Sequence, residues 1–123
     1  MKQVAGIILA AGASTRYGQP KQLLDWDGVP LLAHIADEAQ AAGLSPVIVV
    51  LGSHAETARP VLGERPVHVV MNWRWKEGLS TSVQLGLAAL PPQTDAAILL
   101  QCDQPLLTAD LLRAIVGLSL IHI

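Results

Sequence analysis

The sequence predicts an α/β domain built on a doubly wound, mostly parallel sheet. Three observations predict it. Four short apolar runs, at residues 4–9, 46–51, 67–71 and 96–100, lack the strict polar alternation of a strand with one face in water. Runs of that kind suit strands covered on both faces. Segments with helical spacing of apolar residues separate them, and such alternation argues for parallel strands joined by right-handed crossovers. The chain has 123 residues, 51% of them hydrophobic and 15% charged. That suffices for one domain with an aliphatic core, and residues 1–123 are read as one domain.

Taken in order, residues 4–9 form the first strand, and a loop rich in glycine, hydroxyl and cationic side chains follows at 10–21. Residues 22–26 are a short extended piece, ended by the turn signal Asp27-Gly28. Pro30 suits the first position of a helix. Leu31, Leu32, Ile35, Ala36, Ala39 and Ala42 then recur with helical spacing, and Gly43 is placed to end that helix. Residues 46–51 are the second strand. A weaker helix at 54–62 is interrupted by Pro60. Residues 67–71 are the third strand and 72–78 a polar loop. A helix over 80–90 uses Val83, Leu87 and Leu90, with Ser80 or Ser82 as its N-cap, and Pro91-Pro92 stops it. Residues 96–100 are the fourth strand. Thr108 caps a last helix through Ala114, with Asp110 in its first turn.

Composition excludes several function classes. The net charge of −2 gives no reason to expect a nucleic acid or an acidic membrane as partner. No apolar run reaches membrane-spanning length. The single cysteine, Cys102, cannot make an internal disulfide, which fits a cytoplasmic protein. The first residues look superficially like a signal peptide, but the apolar run leads into a Gly/Ser/Arg/Lys loop, so a leader is not expected. His34, His54, His68 and His122 show no metal-ligand spacing.

The chemistry concentrates in Leu9-Ala-Ala-Gly-Ala-Ser-Thr-Arg-Tyr-Gly-Gln-Pro-Lys21. A polyphosphate needs backbone N–H groups free to point at oxygens, and cations to offset charge. Gly12 and Gly18 permit close approach, Ser14 and Thr15 offer hydroxyls, Arg16 offers a two-pronged contact and Lys21 a mobile point charge. The spacing matches neither a Walker A loop nor the G-x-G-x-x-G dinucleotide fingerprint. Asp103, just past the fourth strand and before a proline, suits Mg²⁺, which takes one or two carboxylates and completes its shell with water and substrate phosphates. Taken alone, such an Asp would be read as bonding its own turn. Opposite a phosphate loop in the same sheet, the ligand reading prevails. Cys102 is read as a small buried thiol. Trp73 and Trp75 are expected to pack over the sheet edge rather than offer a stacking face.

The first loop resembles the L-A-A-G-x-S-x-R-x-G-x-x-K signature of nucleotidyltransferases. Asn72-Trp-Arg-Trp-Lys-Glu-Gly-Leu-Ser-Thr-Ser82 is similar to an N-x-x-W-x-x-G-x-S-x-S segment, and Leu100-Gln-Cys-Asp-Gln-Pro-Leu106 to a C-D-Q-P metal-site segment. Together they resemble the MobA-like NTP transferases, most of all the molybdenum cofactor cytidylyltransferases, over residues 4 to about 116. The resemblance implies a Rossmann-like, nucleotide-diphospho-sugar-transferase-like sheet, incomplete at the C-terminal end. It implies an Mg²⁺-dependent enzyme that moves CMP from CTP to the phosphate of molybdopterin or molybdenum cofactor and releases pyrophosphate. Arg16, Lys21 and Asp103 would be its catalytic residues. Leu9, Ala10, Ala11, Gly12, Ala13, Ser14, Lys21, Ser80 and Ser82 would hold the nucleotide, and Asp103 the metal. Leu-Ala-Ala-Gly, in place of the Leu-Ala-Gly-Gly of guanylyl relatives, favours CTP. Asn72 and Trp75 are assigned to loop shape or substrate contact. A molybdoenzyme or chaperone is an implied protein partner.

Two alternatives stand beside this reading: a sugar-phosphate nucleotidyltransferase, which shares the first loop, and a non-catalytic nucleotide-binding accessory protein. The family's later G-H-P-V-type and G-D-x-G segments are absent, and residues 118–123 end in apolar side chains without a cap or polar tail. The expectation is a C-terminally truncated domain, inactive by itself, with a foreign tail at 118–123 and its acceptor half missing.

Overall fold

The computed structural model describes residues 3–12, 15–16, 19–20, 25–26 and 29–101. The central strand is β1, Val4–Ala10, and all of its residues are buried. Its apolar side chains are enclosed by strands on both edges and helices on both faces, which is why the run shows no polar alternation. Along the chain follow β2 (Thr15–Arg16), β3 (Gln19–Pro20), β4 (Asp25–Trp26), β5 (Val29–Pro30), α1 (Leu31–Ala41), β6 (Val47–Leu51), α2 (Ala55–Ala58), β7 (His68–Met71), α3 (Leu79–Ala88) and β8 (Ala96–Gln101). One-turn 3₁₀ helices occupy Arg59–Leu62 and Trp75–Glu77.

The main sheet has the order β7-β6-β1-β8 and is parallel throughout. Alternate β1 residues serve two cores. Val4, Ile8 and Ala10 pack with α1 residues Leu32, Ile35, Ala36 and Ala39, together with Ala58 and Leu62. Ile7 and Leu9 pack with Ile48 and Val50, against Val83 and Leu90 on the α3 side. The chain therefore steps from β1 to β6 to β7 across one face, then returns past β1 to β8 across the other. Crossovers of a single hand require this change of face when the direction reverses. The predicted doubly wound sheet is thus observed.

Local chemistry explains most boundaries. α1 ends in a Schellman motif at Gly43, whose φ is +84°. The Gly43 N–H donates to the Gln40 carbonyl at 3.0 Å and the Leu44 N–H to the Ala39 carbonyl at 3.2 Å. Pro60, expected to interrupt the second helix, lies in the 3₁₀ turn that succeeds α2. Trp26 pairs with Val29 across the predicted Asp27-Gly28 turn, whose own residues lie outside the described ones.

Three expectations are corrected. Pro30 precedes α1 rather than opening it, at ψ 144°, because it also pairs with Asp25 in an extended ladder. Neither Ser80 nor Ser82 caps α3: the cap is Gly78, at φ 113° and ψ 170°. Leu87, expected in the core, is 48% exposed. Ser82 and Gly86 take the sheet-facing positions instead, and a Cβ on Gly86 would lie 2.6 Å from Ile7 Cγ2. Small residues bring that face close to β1 and leave Leu87 about 100° around the helix from Gly86.

Candidate active site

The sheet order places the reversal of chain direction between β1 and β8. Ligands of open α/β sheets bind beyond the C-terminal strand ends at such a switch point. Leu9 is in register with Gln101, so the first loop and the segment after β8 leave the sheet side by side. The topology thus brings together the chain departures that lead into two of the three motif segments.

The described start of the loop is firmly held. Leu9, Ala10 and Ala11 are buried, and Gly12 is exposed. The Ala11 carbonyl accepts the Ser53 N–H at 3.0 Å. Among the described residues a Cβ on Gly12 would meet nothing within 4 Å, and its φ is not left-handed. Within the described residues, neither packing nor backbone conformation demands glycine there. Thr15–Arg16 pairs with Gln19–Pro20 in a short antiparallel ladder, so the loop carries regular backbone where only irregular loop was expected. Ala13, Ser14, Lys21 and Asp103 lie outside the described residues, as do Gly18, Cys102 and the helix expected at 108–114. For Arg16 only the backbone is described.

The third motif segment folds back on itself through Asn72. This side chain is fully buried at the end of β7. Its Oδ1 accepts the Arg74 N–H at 2.9 Å, which fixes the amide orientation, because a backbone N–H can only donate. Its Nδ2 then donates to Thr81 Oγ1 at 2.9 Å and Ser82 Oγ at 2.8 Å. Thr81 Oγ1 in turn donates to the Gly78 carbonyl at 2.7 Å. Asn72 thereby ties the entry of α3 to the sheet, matching the loop-shape role assigned to it. Ser82 Oγ is engaged in this network, whereas Ser80 stands exposed on the first turn. Sequence reading missed Thr81, although a hydroxyl in the first turn of a helix after a glycine is a recognisable signal.

Around this network the rim is charged and aromatic. Arg74 makes a two-pronged pair with Glu77, Nε to Oε2 and Nη2 to Oε1, both at 2.8 Å. These hydrogen bonds hold the Glu77 carboxyl below its ordinary pKa. Trp75 packs against the α3-side core, but Trp73 is 82% exposed, which corrects the expectation that both tryptophans pack. Lys76 Nζ lies 5.6 Å from the Trp75 ring centre. A cleft of about 370 Å³, lined by Gly52, Ser53, His54, Glu56, Met71 and Trp73 among others, opens beyond the ends of β6 and β7. Among the described residues, His54 Nε2 is buried without a hydrogen-bond partner.

Among the described residues no group of three or more His, Cys, Asp or Glu side chains is placed to hold a metal ion. No helix among them is long and apolar enough to cross a membrane. Residues 6–119 match the model of the MobA-like NTP transferase domain.

This chain belongs to the MobA-like NTP transferase family.

The MobA-like domain is 34% identical over 103 residues to nicotine blue oxidoreductase of Paenarthrobacter nicotinovorans, covering 83% of this chain and 50% of that protein. It is 31% identical to a probable molybdenum cofactor guanylyltransferase of Bacillus cytotoxicus, covering 95% and 57%. It is also 31% identical to the bifunctional protein GlmU of Heliobacterium modesticaldum, covering 94% and 25%. The crystal structure of Rv0371c from Mycobacterium tuberculosis superposes with a TM-score of 0.85 at 33% identity, covering 96% of this chain and 60% of that one. A complex of Rv0371C with manganese gives 0.81 at 30%. The MobA-like domain therefore spans from a quarter to somewhat over half the length of these curated relatives. The likeness to these structures agrees with the nucleotide-diphospho-sugar-transferase-like fold expected from the motifs.

Proposed function

We propose that this MobA-like domain is the donor-binding part of a nucleotidyltransferase that moves CMP from CTP to the phosphate of a molybdopterin-type acceptor. The observation that carries the reading is the Leu9–Gln101 register at the switch point, from which the phosphate-loop motif and the C-D-Q-P motif depart together. Gly12 adds to it. Among the described residues nothing lies within 4 Å of a Cβ built on this glycine, and its φ is ordinary, which suits the close approach of a ligand to the backbone.

An acceptor phosphate oxygen forms a bond to the α-phosphorus of the nucleotide. The α–β bridging P–O bond breaks, and its electron pair leaves with pyrophosphate. A phosphate acceptor already carries its nucleophilic oxygen, so the reaction needs no general base. Positioning and charge compensation dominate such transfers. Arg16 and Lys21 offset triphosphate charge, while backbone N–H groups at 11–14 cradle its oxygens. Leu9 and Ala10 anchor this cradle in the sheet. Asn72 holds the turn bearing Ser80 and Ser82 beside the nucleoside. Asp103, with substrate phosphates and water, is a donor set suited to Mg²⁺. When bound, Mg²⁺ supplies charge neutralisation as pyrophosphate departs. The structurally similar Rv0371C has been crystallised in complex with manganese, which is compatible with a divalent ion here.

A second reading has a specific observation behind it. The match to GlmU keeps open a sugar-phosphate acceptor, and the guanylyltransferase relative makes GTP the rival donor. Titration of CTP, GTP and ATP with and without Mg²⁺ tests the site. Mg²⁺-dependent preference for CTP that is lost in Asp103→Ala and weakened in Lys21→Ala supports the proposal. Binding unchanged in both variants refutes the site assignment. Pyrophosphate release with a phosphorylated pterin, compared with a sugar phosphate, separates the two acceptors.

A further inference from the structure

Gly52 follows the last residue of β6. A Cβ built on it would lie 2.9 Å from Ala11 Cβ, 2.9 Å from Ala11 O and 3.0 Å from Trp75 Cβ. All three are backbone or Cβ atoms, whose positions the main chain sets, so none can swing away by a side-chain rotation. The glycine φ is not in the left-handed region. Space, and not backbone conformation, therefore dictates glycine here. The neighbouring Ser53 N–H holds the Ala11 carbonyl at 3.0 Å. Gly52 thus stands at a three-way junction. On one side lies the start of the phosphate loop, and on the other the 72–82 segment, whose form Asn72 fixes.

We infer that Gly52 is a positioning residue that sets the separation between the two parts of the donor site. This rests on the nucleotide reading above and adds to it the element that spaces the triphosphate cradle from the nucleoside turn. Substitution by even one methyl pushes Ala11 away from Trp75. A ligand that spans both parts then fits neither optimally, whereas a ligand that occupies the cradle alone follows the displaced loop.

The test compares Mg²⁺–CTP and Mg²⁺–GTP, which span both parts, with Mg²⁺–tripolyphosphate, which engages the cradle alone. Binding to the whole chain and to Gly52→Ala is measured by calorimetry below the melting temperature of each. The expected result is a loss of about tenfold or more in affinity for the preferred nucleotide, with a change of less than about threefold for tripolyphosphate. Ala11→Gly added to Gly52→Ala removes one of the two Ala11 contacts and is expected to recover part of the nucleotide affinity. That double variant also provides a second measurement if Gly52→Ala folds poorly. Unchanged nucleotide affinity in Gly52→Ala overturns the inference alone. Equal losses for nucleotide and tripolyphosphate also overturn it, because they indicate damage confined to the cradle. Failure of the unaltered chain to bind any nucleotide overturns the underlying nucleotide reading, and this inference with it.

Discussion

Removing the Asn72 side chain should cost far more stability than its size suggests. Asn72→Ala takes the donated hydrogen bonds away from Thr81 Oγ1 and Ser82 Oγ and the acceptor away from the Arg74 N–H. Arg74 is exposed, so water can reach its N–H. Thr81 keeps its bond to the Gly78 carbonyl. Ser82 is buried, however, and its oxygen is left without the Asn72 donor. One or two unmet buried groups at about 1–3 kcal/mol each, with a small cavity added, give an expected loss of about 2–4 kcal/mol. That is a large share of the roughly 5–15 kcal/mol that holds a domain together. Urea unfolding followed by circular dichroism reads it as a lower midpoint at constant slope. Ser80→Ala is the control: it lies on the same helix entry but is exposed, and its effect should stay within about 0.5 kcal/mol. A loss below about 1 kcal/mol for Asn72→Ala would show that the network does not fasten α3 to β7.

Further outcomes follow from single contacts. Gly86→Ala ordinarily improves a helix by about 1 kcal/mol, but the 2.6 Å approach to Ile7 Cγ2 should turn this into a net loss of about 1 kcal/mol or more. A rise in melting temperature would contradict the close seating of α3 on β1. Arg65 Nε and Nη2 bond Asp37 Oδ1 and Oδ2 at 2.7 and 3.1 Å. Both side chains are partly exposed, so a double-mutant cycle should give about 0.5–1 kcal/mol, shrinking in 1 M salt. The Arg74–Glu77 pair has a definite sign with pH. Its hydrogen bonds lower the Glu77 pKa in the folded state. The contribution is therefore present above the unfolded-state pKa and lost as pH falls through the folded-state pKa. Carbon-13 titration of the Glu77 carboxyl should show a value below the ordinary one that rises in Arg74→Ala. No change in that variant would exclude the pair.

The alternation of apolar runs and helical periods sufficed to predict a parallel sheet, because strands buried on both faces and amphipathic helices leave different periods in a sequence. The end of α1 at Gly43 was equally legible, since a left-handed φ restricts the choice of residue. The three motif segments were recognisable as sequence, as was the order in which they occur. Packing was not legible in the same way. Leu87 has the character of a core residue, yet Gly86 beside it faces the sheet, because close approach favours the residue with no side chain. Ser80 and Ser82 have the character of caps, yet Gly78 caps the helix and Asn72 claims the Ser82 hydroxyl. Hydrogen bonds between residues nine or ten positions apart depend on how the chain turns, which local propensity does not specify. The sequence by itself therefore determined the class of fold and the residues available for phosphate chemistry. Only the tertiary structure decided that β1 and β8 are neighbours at the switch point. It alone showed that Gly52 lies between Ala11 and Trp75, because strand order and steric spacing arise from contacts between parts of the chain that are distant in sequence.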